Sequence, residues 1–158
     1  ATETHALPEG LRRRTKADLF ALFQLYNALV PQAVRSAEAA TLAEWSAAQE
    51  SLGKTTQYVL ERDGRVRGWL RVARDGDIAR FDLLGEPDTV DDLIEAAMAK
   101  VAQRRAVYAI APEHDAGLRS RLESLGFEPG DEYSVLSRRT TRTVKAPKVI
   151  ARLLQTPG

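Results

Sequence analysis

The sequence predicts a mixed α/β domain built around an antiparallel meander, on three observations. Residues 56–84, "TQYVLERDGRVRGWLRVARDGDIARFDLL", alternate apolar and polar residues around two Asp-Gly pairs. Apolar residues recur at helical spacing both before and after that stretch. A short run apolar on both faces, "AVYAIA", then stands between two of the helical segments. With the elements taken in order below, they predict about six strands and about four helices.

Taken in order, "ATETHALPEG" is a flexible lead-in over residues 1–10. "LRRRT" is a short strand that feeds the segment "KADLFALFQLYNALV". There Leu19, Phe20, Phe23, Tyr26 and Val30 repeat with helical period, and Pro31 stops the helix. Thr41 followed by Glu44 is a capping-box spacing, opening a second helix through "LAEWSAAQE" with Leu42 and Trp45 inward.

The meander follows, with Asp63-Gly64 and Asp75-Gly76 as the central pairs of two tight turns that need positive φ. On its middle strand Val66, Leu70 and Val72 fall on one face; Arg65, Arg67, Trp69 and Arg71 fall on the other. That arginine face is read as pairing with Glu61 or Asp82 on neighbouring strands, or as a surface for nucleic acid or an acidic partner.

Leu93, Ile94, Ala97, Met98 and Val101 mark the next amphipathic helix, and "AVYAIA" is a buried-type strand. "AGLRSRLESLGF" is a helix with Leu118, Leu122 and Leu125 on one side, ended by Gly126. "EYSVLSRR" closes the regular part, giving a domain over residues 11–139. Residues 140–158 form a basic tail or linker with one short helix from Pro147.

At 158 residues the chain suits one domain with its own core. A net charge of +1 gives no overall pull towards polyanions. With no cysteine, disulfides, thiolate metal sites and a cysteine nucleophile are excluded. His5 and His114 alone argue against a histidine-rich metal centre, so no metal is expected. No apolar run reaches the length of a membrane span and no signal-peptide pattern is seen, so the expected location is cytoplasmic and off the membrane.

The segment "LLGEPDTVDDLIEAAMAK" bears most on function. A strand ending at Leu84 followed by a helix is a favoured place to hold a phosphate, because backbone N–H groups point out of the helix start. Yet this turn carries Glu86, Asp88, Asp91 and Asp92, with Gly85 its only glycine. Asp88 or Thr89 as cap, with Asp91 or Asp92 in the first turn, would satisfy the helix start internally.

The element order, with "LRRRTKADLFALFQLYN", "DGRVRGWLRV" and "LRSRLESLGFEP", resembles the GNAT family of N-acetyltransferases over about residues 11–139. The resemblance implies a GNAT-like mixed, mostly antiparallel central sheet of six to seven strands flanked by about four helices, and transfer of an acetyl group from acetyl-CoA to a small amine. It also implies a glycine-rich turn, Q/R-x-x-G-x-G/A, cradling the cofactor's pyrophosphate. Here Asp88 and Val90 stand in the glycine places, Asp92 in that of the small residue, and Pro87 near the arginine's. Two unit charges about 6 Å apart repel by roughly 3 kcal/mol at an effective dielectric of 20. Acids at this turn are therefore expected to turn a diphosphate away.

The family's thiolate-protonating tyrosine corresponds to Leu122, which has no hydroxyl, and an asparagine earlier in that segment corresponds to Asp115. Tyr133, His114 and Glu44 are the remaining catalytic candidates: Tyr133 as a substitute acid, His114 as a base near neutral pH, and Glu44 as a base unless it only completes the Thr41 cap. If acetyl-CoA binds, Leu83, Leu84, Gly85 and Val90 are expected to hold it. The expected role is a non-catalytic structural or binding domain, possibly half of a tandem or dimeric acyltransferase. The alternatives are an active N-acetyltransferase, and polyanion binding by the basic tail.

Overall fold

The computed structural model describes residues 7–38, 55–102, 104–112, 114–136 and 143–154. Its strands are β1 (Leu11–Arg13), β2 (Thr55–Arg62), β3 (Arg65–Asp75), β4 (Ile78–Gly85), β5 (Ala106–Pro112), β6 (Glu128–Leu136) and β7 (Thr143–Leu154). The helices are α1 (Leu19–Leu29), α2 (Gln32–Glu38), α3 (Val90–Lys100) and α4 (Ala116–Ser124). All seven strands form one sheet in the order β1-β2-β3-β4-β5-β7-β6. Only β4 and β5 run parallel; every other neighbouring pair is antiparallel.

Turn chemistry explains the middle of the sheet. At the first hairpin Asp63 and Gly64 both have positive φ, 57° and 71°, as a two-residue turn of this hand requires. The second hairpin is shifted by one residue from the expected pair. Asp75 pairs with Ile78, so the central residues are Gly76 and Asp77, and Gly76 alone takes positive φ, at 58°.

The β2–β3 ladder also departs from strict alternation. Leu60 faces Gly68 while Glu61 faces Val66, which leaves Arg67 as the extra residue of a bulge. A bulge moves every residue beyond it to the other face. Val66 therefore packs with Trp69, Val59 and Leu84, not with Leu70 and Val72, which lie in the opposite core. The expected four-residue face of Arg65, Arg67, Trp69 and Arg71 is broken at this point.

Two apolar layers result. On one face α1 covers Val59 and Trp69 with Leu22, Leu25, Tyr26 and Val30. On the other, α3 and α4 bury Leu93, Ile94, Ala97, Leu118 and Leu122 against Leu60, Leu70, Phe81 and Val107. The phase expected for α1 was partly wrong. Phe20 is 59% exposed, whereas Leu22 and Leu25 turn inward. The helix "LFALFQLYNAL" is apolar almost all round, so its period alone does not select the buried side. Its end falls as expected: Val30, ahead of Pro31, is already extended. Arg35 of α2 then donates to the carbonyl of Val30 and to Asn27. The Thr41–Glu44 cap and the helix with Leu42 and Trp45 lie outside the described residues.

Helix α4 ends in a two-bond motif, Phe127 N–H to the Leu122 carbonyl and Gly126 N–H to that of Glu123, with Gly126 at φ 97°. Leu125 is 54% exposed and Phe127 takes the expected inward place. Gly126→Ala should lower stability by about 1 kcal/mol, because alanine is strained at that φ. A urea titration would show it as a lower midpoint at unchanged slope.

Residues 143–154 are neither tail nor linker, and no helix starts at Pro147. They form β7, which pairs with β5 from Ala106↔Leu154 to Pro112↔Lys148 and carries β6 on its other edge. "TVKAPKVIARLL" mixes β-branched residues with charges, and the proline suggested a helix start where the sheet instead tolerates an irregular register.

Candidate functional site

Because β4 and β5 are parallel, their carboxyl ends lie at the same edge of the sheet. Their last paired residues are Asp82 and Ile110. Beyond that rung β4 continues through Leu83, Leu84 and Gly85 with only β3 beside it, and β5 continues to Pro112 with only β7. The two strands part there, and both open into helices: β4 into α3, β5 into α4.

A short 3-10 turn, Pro87–Thr89, joins β4 to α3. Thr89 is fully buried. Its N–H donates to the Glu86 carbonyl at 2.8 Å, and its hydroxyl donates to the same oxygen at 2.7 Å. Neither Asp88 nor Thr89 caps α3 through its side chain, contrary to expectation. The carboxylates meet arginines instead. Arg67 donates from Nε to Glu86 at 2.6 Å and from Nη2 to Asp88 at 2.9 Å. Arg65 reaches Glu86 at 3.2 Å, Arg62 reaches Asp92 at 2.6 Å, and Arg121 of α4 pairs with Asp91. The Glu86 hydrogen bond raises the Arg67 pKa above its ordinary value, with Asp88 adding to it.

Each of the four acids thus has an arginine partner, and the expected net negative field is largely cancelled. The turn is also tightly packed. Gly85 is pressed against the helix: a Cβ there would stand 2.5 Å from Leu93 Cδ1 and 2.5 Å from Thr89 Oγ1. A Cβ on its register partner Gly68 would likewise stand 2.9 Å from Leu93 Cδ1.

Of the residues expected to bind or react, Leu83, Leu84, Gly85 and Val90 gather at this junction. Leu83 and Val90 pack against the α3–α4 side, and Leu84 against Trp69 on the other. His114 lies at the same end, exposed in the turn before α4. Asp115 caps α4, accepting from Leu118 N–H at 3.0 Å. Leu122 is buried in the core. Tyr133 lies on β6 opposite Lys148. Glu44 is outside the described residues. The expected pairing of the strand arginines with Glu61 or Asp82 is found for Arg71 with Asp82; Arg65 and Arg67 meet Glu86 instead, and Glu61 pairs with Arg12. Period alone could not show that the bulge at Arg67 aims the hairpin arginines at the turn.

No family model matches the sequence, and no curated protein is found to resemble it. Solved structures do. The GNAT superfamily phosphinothricin acetyltransferase from Sinorhizobium meliloti, solved with acetyl-CoA, superposes with a TM-score of 0.64 at 15% identity, covering 91% of this chain and 86% of that one. The chain has the GNAT fold. Two further structures share it: the ribosomal-protein-S18-alanine N-acetyltransferase from Escherichia coli, with a TM-score of 0.64 at 16% identity over 94% of this chain and 95% of that one; and the spermidine N-acetyltransferase from Vibrio cholerae, solved with CoA and spermine, at 0.63 and 15% over 92% and 94%. No helix among the described residues is long and apolar enough to cross a membrane.

Proposed function

We propose that this GNAT-fold domain serves a binding or structural role and does not turn over acetyl-CoA, acting as one half of a tandem or dimeric acyltransferase. The observation that carries this reading is the state of the β4–α3 turn. A diphosphate needs open backbone amides and free cations at a helix start. Here Thr89 N–H is spent on Glu86. Arg62, Arg67 and Arg121 are spent on Asp92, Glu86 with Asp88, and Asp91. The residues present do not fit a pyrophosphate. Leu122 in place of a hydroxyl-bearing residue points the same way.

A second reading has its own support. The parting of β4 and β5 after Asp82 leaves the backbone of Leu83–Gly85 without a β5 partner, and the GNAT-fold structures above include ones solved with acetyl-CoA or CoA. On that reading the chain is an N-acyltransferase acting on a small amine, with His114 or water moving the proton.

Thermal unfolding separates the two. With Kd weaker than 1 mM, 1 mM acetyl-CoA stabilises by no more than about 0.4 kcal/mol, a rise in Tm of about 1–2 °C. A rise of about 5 °C, or thiol release with any of a panel of amines, would overturn the binding-domain reading. Asp91→Gly with Asp92→Gly should raise acetyl-CoA affinity if the turn alone excludes the cofactor. The basic residues of the third alternative lie partly in β7, which pairs with β5 and β6; polyanion binding there would show as a steep loss of affinity with salt.

A further inference from the structure

Arginines in the described residues mostly end on an acid or a backbone carbonyl. Arg12, Arg62, Arg65, Arg67, Arg71 and Arg121 meet carboxylates. Arg35, Arg74 and Arg104 meet carbonyls. Arg14 does neither. It leaves the end of β1 half-buried, and its Nη1 donates to the side-chain oxygen of Gln57 at 2.7 Å. That same oxygen accepts from Trp69 Nε1 at 2.9 Å, so both of its lone pairs are used. The Arg14 guanidinium carbon lies 5.5 Å from the Trp69 ring centroid. Arg71, joined to Asp82, lies 4.9 Å from the same centroid.

A guanidinium carries five N–H donors in a planar fork. Arg14 has one of them on Gln57, and no carboxylate among the described residues pairs with it. Burial lowers its pKa from the ordinary value and Arg71 lowers it further, while Asp18 opposes this. Asp18 is itself bound by both ends of Arg12. Arg71 has its own counter-ion in Asp82, whereas the Arg14 donors not given to Gln57 have no acceptor among the described residues.

We propose that Arg14, held by Gln57 and set against Trp69, binds the carboxylate of a small organic acid. A planar carboxylate suits the fork of a guanidinium already fixed by a side-chain amide and an aromatic ring. Arg71 and Asp82 lie on the last described rungs before β4 and β5 part. The subsite therefore adjoins the open end of the sheet on the face that carries α1. It does not depend on whether the β4–α3 turn admits a coenzyme.

The test uses the sequence's two tryptophans. In a Trp45→Phe background, Trp69 fluorescence is titrated with succinate at ionic strength held constant by sodium chloride, and in parallel with inorganic phosphate. Saturating change with succinate, a midpoint in the millimolar range, and at least a tenfold weakening in Arg14→Gln are expected. Arg14→Lys should retain part of the affinity, since it keeps charge without the fork. No saturation, an equal response in Arg14→Gln, or tighter binding of phosphate than of succinate would overturn the assignment. Should Arg14→Gln fail to fold, the wild-type chain decides by arginine Nε–H resonances. One such resonance, lost in Arg14→Lys, should shift with the fluorescence midpoint; an unmoved one overturns the proposal.

Discussion

Asp18→Asn is expected to lower stability by about 2 kcal/mol at pH 7, a fall of about 4–8 °C in Tm. Asp18 is 6% exposed. Both its oxygens accept from Arg12 at 2.8 Å, and one also accepts from Thr15 N–H at 2.8 Å. The Arg12 hydrogen bonds hold its pKa at about 2, against an ordinary 3.8, with the Thr15 N–H helping. A depressed carboxylate stabilises the folded chain above its unfolded pKa and stops doing so as pH falls through the folded one. The gap between wild type and Asp18→Asn should therefore be full above about pH 5 and shrink towards pH 2. Urea midpoints across that window measure it. A gap that stays constant with pH would mean that the Arg12–Asp18 pair is not what the substitution removes. Arg12 is 39% exposed at its side chain, which keeps the expected loss at the lower end for a partly buried pair.

Leu93→Ala should cost more, about 2–5 kcal/mol. Its side chain is fully buried and fills the gap over Gly68 and Gly85, where two missing Cβ atoms let α3 rest on sheet backbone. Gly85→Ala attacks the same contact from the other side and should cost about 1–3 kcal/mol by overpacking. The pair is too close to be additive. Combining the two should cost less than their sum, because the room vacated by Leu93 receives the new methyl. Rescue stays partial, since Thr89 Oγ1 would still stand 2.5 Å away. Strict additivity in denaturant melts would mean that α3 does not bear on Gly85 as described.

The parts of this fold that were legible in the sequence are those where one residue type has one reason to be there. Asp63-Gly64 marks a tight turn, Pro31 ends a helix, and Gly126 takes the left-handed backbone after α4. Where several arrangements satisfy the same pattern, the reading slipped. The near-uniform apolarity of α1 hid which side is buried. A single bulge at Arg67 reversed the faces of a strand whose alternation looked regular. Strand β7 was missed because charges and a proline obscured its character, and one of its two partners, β5, is distant in sequence. The candidate site was legible in place but not in chemistry. The sequence shows acids at residues 86–92, whereas the arginines that answer them come from a hairpin 19 to 30 residues earlier and a helix 30 residues later. Arg14 was invisible for a similar reason, since its neighbours Gln57, Trp69 and Arg71 are brought to it only by strand pairing.

The position of β7 between β5 and β6 bears on how the chain is made. On a ribosome, β5 emerges first and then β6, yet neither can pair with the other; both wait for a strand whose last residue is Leu154. At about 5–20 residues per second, the stretch from the end of β5 to that residue takes about 2–8 s to synthesise. During that interval one side of β5 has no strand beside it, and nascent chains crowded on one message are exposed to pairing with each other.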